Sequence, residues 1–220
     1  LVLPLHHLHG ILNVLACVLW SGGCCQILPR FDATETWERF AQADLTLFMA
    51  VPTIYSQLIK VWDEAEKANQ VRWSEGARSM RLMVSGSAAL PVQILERWRQ
   101  LTGHELLERY GMTEIGMALA NPLHGERRPG HVGYPLPGVK IRRVDEEGKV
   151  LTDPLSPGEL EVRGPSVFSE YWRNPEASIT AFRDGWFRTG DVAVVADGHY
   201  RLLGRTSVDI IKTGGYKVSA

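Results

Sequence analysis

Five consecutive residues, Tyr110 to Glu114, combine an aromatic ring, a glycine, a hydroxyl and a carboxylate. This set suits a nucleotide. Tyr110 can stack on a base, Thr113 can donate to a phosphate, and Glu114 can hold Mg²⁺, which prefers oxygen ligands. Each residue type is structural more often than functional when it occurs alone. The segment is therefore a candidate nucleotide site that needs support from other parts of the chain.

A second segment, Ser85 to Ala89, consists of five small residues between a strand-like run and a helix that Pro91 opens. Small residues let the backbone approach a flat ligand closely. The alternative interpretation is a tight turn between a strand and a helix. The segment alone does not decide between them.

Further motifs follow in order along the chain. They are Gly158 to Pro165, Tyr171-Trp172, Gly185 to Asp191, and Gly204-Arg205 with Asp209 to Lys212. Together with Tyr110 to Glu114, they resemble the ordered motifs of the adenylate-forming family of acyl-CoA synthetases, luciferases and peptide-synthetase adenylation domains. The resemblance spans essentially all 220 residues.

The resemblance implies a role for each matching position. Tyr110 is expected to stack on adenine in a pocket lined by Gly86 and Ala88. Asp191 would accept hydrogen bonds from the ribose hydroxyls, as a carboxylate can, and Asp209 would lie at or beside the interdomain hinge. The implied sites are catalytic Thr113, Glu114 and His9; nucleotide-binding Ser85, Gly86, Ser87, Ala88, Arg109, Tyr110, Gly111, Met112, Thr113, Asp191 and Arg205; and metal-binding Glu114.

The resemblance also implies a reaction that uses ATP, Mg²⁺ and coenzyme A. A carboxylate attacks the α-phosphate of ATP to form an acyl-adenylate, and a thiol then displaces AMP. The 220 residues contain no copy of the family's phosphate loop, and Lys217 does not lie in the motif of the family's lid lysine. We therefore expect an internal piece of a longer protein, with little or no ligase activity of its own.

Arg109 directly precedes Tyr110 and bears on the choice of acid. An arginine at the edge of the acid pocket can pair with a second carboxylate, which favours a small diacid. Within the family the chain looks most like malonyl-CoA synthetases, which implies that Arg109 holds the distal carboxylate of malonate or methylmalonate, with Ser87 and His9 nearby. The alternative is that Arg109 pairs with Glu105 or Glu108 and never meets a substrate.

The elements that must position these residues follow an α/β pattern. Strands are predicted at Cys24 to Leu28, Leu45 to Val51, Arg81 to Ser85 and Glu105 to Tyr110, and helices at Gly10 to Trp20 (buried), at Ala33 to Ala43, and from Pro52 and Pro91. The order β-α-β-α-β is typical of layered α/β domains, whose ligands gather at the carboxyl ends of the strands.

The second half changes to short β-prone runs such as Val139 to Val144, Gly158 to Gly164 and Val192 to Val195. It is predicted to be a small twisted β subdomain. We expect a partial α/β subdomain at residues 1–139, a β-rich subdomain at 140–204 and a hinge segment at 205–220.

Composition narrows the class of protein. The formal charge is −1 and the basic residues are scattered, so nucleic acid is a poor candidate partner. Cys17, Cys24 and Cys25 form no spaced disulfide framework, which favours a reducing compartment, the cytoplasm or alternatively the mitochondrial matrix. The run from Gly10 to Pro29 contains no charge, but polar residues and glycines interrupt it too often for a membrane span. Metal binding by His6, His7, His9 and Cys24 is disfavoured, because no second ligand pair has suitable spacing.

Three alternative functions stay open. A medium- or long-chain fatty acyl-CoA synthetase would need an apolar tunnel and no arginine at position 109. A carrier-loading adenylation domain shares the motifs and differs mainly in the acceptor thiol. A non-catalytic nucleotide-binding module would bind AMP or an acyl-adenylate without turnover.

Overall fold

A computed structural model describes residues 1–205 in full, and the backbone alone of residues 210–213 and 216–219. The chain divides into two compact units, Leu1–Arg109 and Tyr110–Ala220. The boundaries expected after residues 139 and 204 stay predictions, and Asp209 lies outside the described residues.

The first unit contains three strands that pair in parallel. Its helices are a π-helix at His9–Ala16 that continues as α1 (Cys17–Trp20), then α2 (Ala33–Ala41), α3 (Pro52–Glu64), α4 (Lys67–Arg78) and α5 (Val92–Thr102); its strands are β1 (Leu47–Ala50), β2 (Leu82–Ser85) and β3 (Leu107–Met112). β1 pairs with β2 from Leu47↔Leu82 to Ala50↔Ser85, and β2 pairs with β3 at Val84↔Leu107. The β-α-β-α-β order predicted from the sequence is confirmed, except that two helices, α3 and α4, lie between β1 and β2.

Aromatic packing forms the core of this unit. Trp37 on α2 lies between Trp73 and Trp98, with ring centroids 5.8 Å and 5.3 Å away. Tyr55 on α3 packs edge-on against Trp98, and its hydroxyl donates to the carbonyl of Val84 at 2.8 Å. This hydrogen bond attaches α3 to β2, the middle strand, just before the segment Ser85 to Ala89.

Two predictions for the start of the chain are wrong. Cys24 to Leu28 is not a strand, because no neighbouring strand among the described residues pairs with it. The helix predicted at Gly10 to Trp20 exists, but it is not buried, since Trp20 is 94% and Leu19 58% exposed. The apolar run predicted the helix correctly but not its exposure to solvent.

Helix α4 was missed altogether. It is polar along most of its length, and its buried residues are Trp73, Ser74, Gly76 and Ala77. A Cβ on Gly76 would lie 2.1 Å from the carbonyl oxygen of Phe40, so the missing side chain is what lets α4 approach α2. Packing through a glycine leaves no apolar stripe in the sequence, so apolar periodicity does not predict this helix.

The second unit is mainly antiparallel β-structure. Its elements are β4 (Gly116–Ala120), β5 (Tyr134–Pro135), β6 (Lys140–Val144), β7 (Gly158–Arg163), α6 (Pro175–Ala181), β8 (Phe182–Arg183), β9 (Trp186–Ala196), β10 (His199–Arg205), β11 (Ile210–Thr213) and β12 (Tyr216–Ser219). One sheet has the order β10-β9-β7-β6, and β8 pairs with β9. The runs predicted at 139–144 and 158–164 are strands, and the one at 192–195 is the end of the longer β9. Among the described residues, every helix is too short or too polar to span a bilayer.

Glu161 is the fully buried charge of this sheet. Its carboxylate lies 2.6 Å from the guanidinium of Arg142 and 3.2 Å from that of Arg183, and it has no exposed surface. The Arg142 guanidinium also lies over the ring of Trp186, 4.6 Å from the centroid. Two cations from β6 and β8 thus converge on one carboxylate of β7.

We expect Glu161→Ala to lower the free energy of unfolding by about 3 kcal/mol, because it leaves two partly buried cations without their carboxylate. Chemical denaturation measures this loss. Asp63→Ala is the matched control, since Asp63 pairs with Arg97 where both side chains are more than a third exposed, and it should cost less than about 1 kcal/mol. Equal losses for the two variants would contradict the structural role of Glu161.

Candidate functional site

Arg109 carries a half-buried positive charge at the end of the first unit. The ion pairs among residues 1–109 join Arg39 with Glu35, Arg72 with Glu38, and Arg97 with Asp63. None of these ion pairs involves Arg109. Its Nη2 instead lies 3.4 Å from Sδ of Met49, a weak acceptor. Burial lowers the pKa of Arg109 to about 10, which leaves the side chain a cation at pH 7.

The small-residue segment makes room for this cation. A Cβ on Gly86 would lie 3.3 Å from Cγ and 3.5 Å from Nε of Arg109, so glycine allows the arginine to pack directly over the backbone. The next residue, Ser87, has a φ of 69°, a conformation that non-glycine residues rarely adopt. Held in this strained turn, the Ser87 hydroxyl lies 3.0 Å from Nδ1 of His9.

His9 begins the π-helix and is 6% exposed. Burial, with a smaller contribution from the positive charge of Arg109, lowers the pKa of His9 to about 4, so the ring is neutral at pH 7. Its buried Nε2 has no hydrogen-bond partner among the described residues. His9, Ser87 and Arg109 therefore offer one cation and two neutral polar groups, a combination that suits an anion.

In the second unit, Asp191 joins two of the predicted nucleotide residues. Its carboxylate accepts from the hydroxyl of Tyr110 at 2.6 Å and from Nε of Arg205 at 3.0 Å. Burial, followed by the charge of Asp191, raises the pKa of Tyr110, which therefore remains a donor. A carboxylate has about four lone-pair sites, so Asp191 keeps capacity for further donors.

The backbone around Asp191 is fixed from β7. Its N–H donates to Oγ1 of Thr189 at 3.1 Å, and that hydroxyl donates to the carbonyl of Leu160 at 2.8 Å. Sequence patterns predict no role for Thr189, because a threonine in a strand is already explained by its β-propensity.

Glu114 lies in the turn between β3 and β4, beside the exposed Thr113. The hydroxyl of Tyr171 donates to Oε1 of Glu114 at 3.0 Å. Gly111 shapes this turn, because a Cβ there would lie 2.1 Å from the carbonyl oxygen of Gly116. No group of three or more His, Cys, Asp or Glu that could hold a metal occurs in the described part of the chain. A single carboxylate still fits Mg²⁺, which takes few protein ligands and completes its shell with water and substrate phosphates.

The structure thus brings the predicted residues together within each unit. His9, Gly86, Ser87 and Arg109 meet in the first unit, and Tyr110, Asp191 and Arg205 in the second. Ser85 is buried at the end of β2, whereas Ala88 is exposed. The sequence did not predict a role for Met49, and it indicated Tyr171 only as part of the motif Tyr171-Trp172. The phenol of Tyr171, in one of the ordered motifs, was the signal for a hydrogen-bonding role.

A profile of the family described as AMP-binding enzyme matches residues 1–172, well over half of the chain. The chain belongs to the AMP-binding enzyme family. Its layered α/β unit and mixed sheets agree with the adenylate-forming fold predicted from the sequence.

Three relatives in the AMP-binding enzyme family show where the chain falls within it. Mouse malonate–CoA ligase ACSF3, mitochondrial, is 54% identical over all of this chain and 42% of its own length. The ATP-bound MatB of Rhodopseudomonas palustris superposes with a TM-score of 0.87 at 40% identity, over 99% of this chain and 41% of that one. A malonyl-CoA ligase in a ternary product complex with methylmalonyl-CoA and AMP gives 0.84 at 41% identity, over 99% and 46%. The chain spans less than half the length of each.

The pKa of His9 predicts a defined pH dependence of stability. Between about 4 in the folded state and 6.5 in the unfolded chain, only the unfolded state binds a proton at this residue. The contribution of His9 to the free energy of unfolding is therefore complete above pH 6.5 and is lost as the pH falls toward 4. We expect His9→Gln to lose less stability than the wild type between pH 7 and pH 4.5 in denaturant titrations.

His124→Gln is the control for this titration, because His124 is exposed. It should keep the pH dependence of the wild type. A His9→Gln variant whose stability falls as steeply as that of the wild type would show that His9 titrates normally in the folded protein.

Proposed function

We propose that the full-length protein carrying this chain is an ATP-dependent acid–thiol ligase that makes an acyl-CoA from malonate or methylmalonate. The observation that carries the proposal is Arg109, a half-buried cation without an ion pair in its unit, beside a neutral His9. A buried charge without a counter-ion is costly unless a partner arrives. The distal carboxylate of a diacid is such a partner, whereas the methyl end of a fatty acid is not.

The acid is held at its distal end by this group. The planar guanidinium of Arg109 can form two parallel hydrogen bonds with one carboxylate. The neutral ring of His9 adds a polar contact without a second positive charge. The other carboxylate of the diacid is then left to react.

On the nucleotide side, Asp191 is proposed to accept hydrogen bonds from the ribose hydroxyls, with Tyr110 against the base and Thr113 at the α-phosphate. The tight bonds from Tyr110 and Arg205 orient the Asp191 carboxylate before the nucleotide arrives. Such preorganisation avoids the cost of ordering the site during the reaction.

The chemistry runs in two steps. An oxygen of the reactive carboxylate attacks the α-phosphorus of ATP, the bond from that phosphorus to the bridging oxygen breaks, and pyrophosphate leaves. The sulfur of coenzyme A, having lost its proton, then attacks the acyl carbon, and AMP leaves with the electron pair. Mg²⁺ at Glu114 would neutralise phosphate charge during the first step.

The proposed compartment is the mitochondrion, the alternative to the cytoplasm considered from the sequence. Cys17, Cys24 and Cys25 are free thiols, which agrees with a reducing interior. The mouse relative is named as a mitochondrial protein.

Acid-dependent ATP–pyrophosphate exchange by the full-length protein tests the substrate. We expect exchange with malonate and methylmalonate and much less with acetate or octanoate. Arg109→Ala should lower kcat/KM for malonate about 100-fold, since it removes two charge-assisted hydrogen bonds. Arg109→Lys should give an intermediate kcat/KM, because lysine keeps the positive charge but cannot form two parallel hydrogen bonds with one carboxylate.

The control for this experiment is Arg99→Ala, which removes an exposed arginine of α5 and should leave exchange unchanged. Exchange driven best by octanoate, and insensitive to Arg109→Ala, would replace the diacid assignment with a fatty acyl one. Absence of exchange with every acid would favour a nucleotide-binding module. Transfer to a carrier protein but not to coenzyme A would identify a carrier-loading domain.

Asp191→Asn tests the nucleotide side. We expect KM for ATP to rise about tenfold, since the loss of one charge-assisted hydrogen bond costs about 1.5 kcal/mol. KM for malonate should not change. Asp197→Asn is the control, because Asp197 is 83% exposed and its ion pair in the described part of the chain is with Arg128. Equal effects of Asp191→Asn on both KM values would argue for a general disturbance of the fold.

A further inference from the structure

Tyr171 makes a contact that the reaction scheme above does not use. Its hydroxyl donates to Oε1 of Glu114 at 3.0 Å, across 57 residues of chain. One hydrogen bond to Oε1 leaves the lone pairs of Oε2 and restricts rotation of the carboxylate. A carboxylate that binds a metal through one oxygen needs this kind of restraint.

The segment that carries Tyr171 holds residue 114 at two points. The N–H of Phe168 donates to the backbone carbonyl of Glu114 at 2.8 Å, so the backbone is fixed independently of the side chain. The rings of Phe168 and Tyr171 pack with centroids 4.7 Å apart. The phenol therefore reaches the carboxylate from a support that is already attached to the same residue.

The other end of Tyr171 is fixed by the start of α6. Its backbone N–H donates to Oγ of Ser178 at 2.9 Å, and that hydroxyl donates to the carbonyl of Asn174 at 2.7 Å. The side chain of Asn174 caps the helix by accepting from the N–H of Ala177 at 3.1 Å. A continuous series of hydrogen bonds thus runs from the cap of α6 to the Glu114 carboxylate.

We propose that Tyr171 is a positioning residue, which holds the Glu114 carboxylate in the orientation that binds Mg²⁺. The inference rests on the proposed function, because it takes Glu114 as the metal ligand. The inference assigns a role to Tyr171 in the Tyr171-Trp172 motif. Trp172 is 81% exposed and has no part in this role.

Binding of Mn²⁺ to the full-length protein tests this role without relying on turnover. Free Mn²⁺ is measured by electron paramagnetic resonance in the presence of α,β-methylene ATP, at a temperature where thermal melts show every variant folded. Tyr171→Phe should weaken Mn²⁺ binding about tenfold, the usual loss when the partner of a metal ligand is removed. Trp172→Phe, the matched control, should bind as the wild type does.

The variant Glu114→Gln separates this inference from the proposal beneath it. Glu114→Gln should weaken Mn²⁺ binding, and adding Tyr171→Phe should then have no further effect, because the phenol acts only through the carboxylate. Losses that multiply in the double variant would mean that Tyr171 acts through the fold, and would overturn the positioning role. Wild-type affinity in Tyr171→Phe with weak binding in Glu114→Gln would overturn it too, and leave the proposed function standing. Wild-type affinity in both would remove the metal role of Glu114 itself.

Discussion

The desolvation of Arg109 is the constraint on which the cluster of Arg109, His9 and Ser87 depends. Because the guanidinium is partly withdrawn from water without a carboxylate, its own pKa falls and it disfavours a second positive charge nearby. His9 stays neutral mainly because it is itself buried, and the charge of Arg109 lowers its pKa further. Gly86 leaves room for this side chain, because a Cβ there would lie 3.3 Å from Cγ of Arg109. The partly buried arginine therefore bears on two residues, His9 and Gly86, that are distant from it in the sequence.

In the second unit, two of the buried charges are carboxylates that do have partners. Asp191 and Glu161 are both buried carboxylates, but their partners differ. Glu161 is enclosed by two arginines and has no exposed surface, so nothing further can reach it. Asp191 is held by one phenol and by Arg205, and 12% of its own side-chain surface is exposed. Its unused lone pairs and this remaining surface leave Asp191 able to accept a further donor, whereas Glu161 has no surface left for one.

The sequence predicted the alternating order of strands and helices from Leu45 to Tyr110 well, because apolar periodicity and Pro52 and Pro91 mark those elements directly. It failed where burial depends on a neighbour, as at Trp20, and where a helix packs through Gly76 without an apolar stripe. The motifs identified Arg109, Tyr110, Asp191 and Arg205 as candidates. They did not indicate that Tyr110 donates to Asp191, because the two are 81 residues apart and only the fold joins them.

This distinction bears on how a motif should be interpreted. Gly158 to Pro165 and Gly185 to Asp191 both contribute to the resemblance, yet the acidic residues Glu161 and Asp191 have different partners. Glu161 of the first holds the sheet together, and Asp191 of the second faces two donors that are themselves candidate ligand contacts. A shared motif shows that a residue is in the right place on the fold. Whether it meets a substrate follows from its exposure and from the hydrogen-bonding capacity that its partners leave unused.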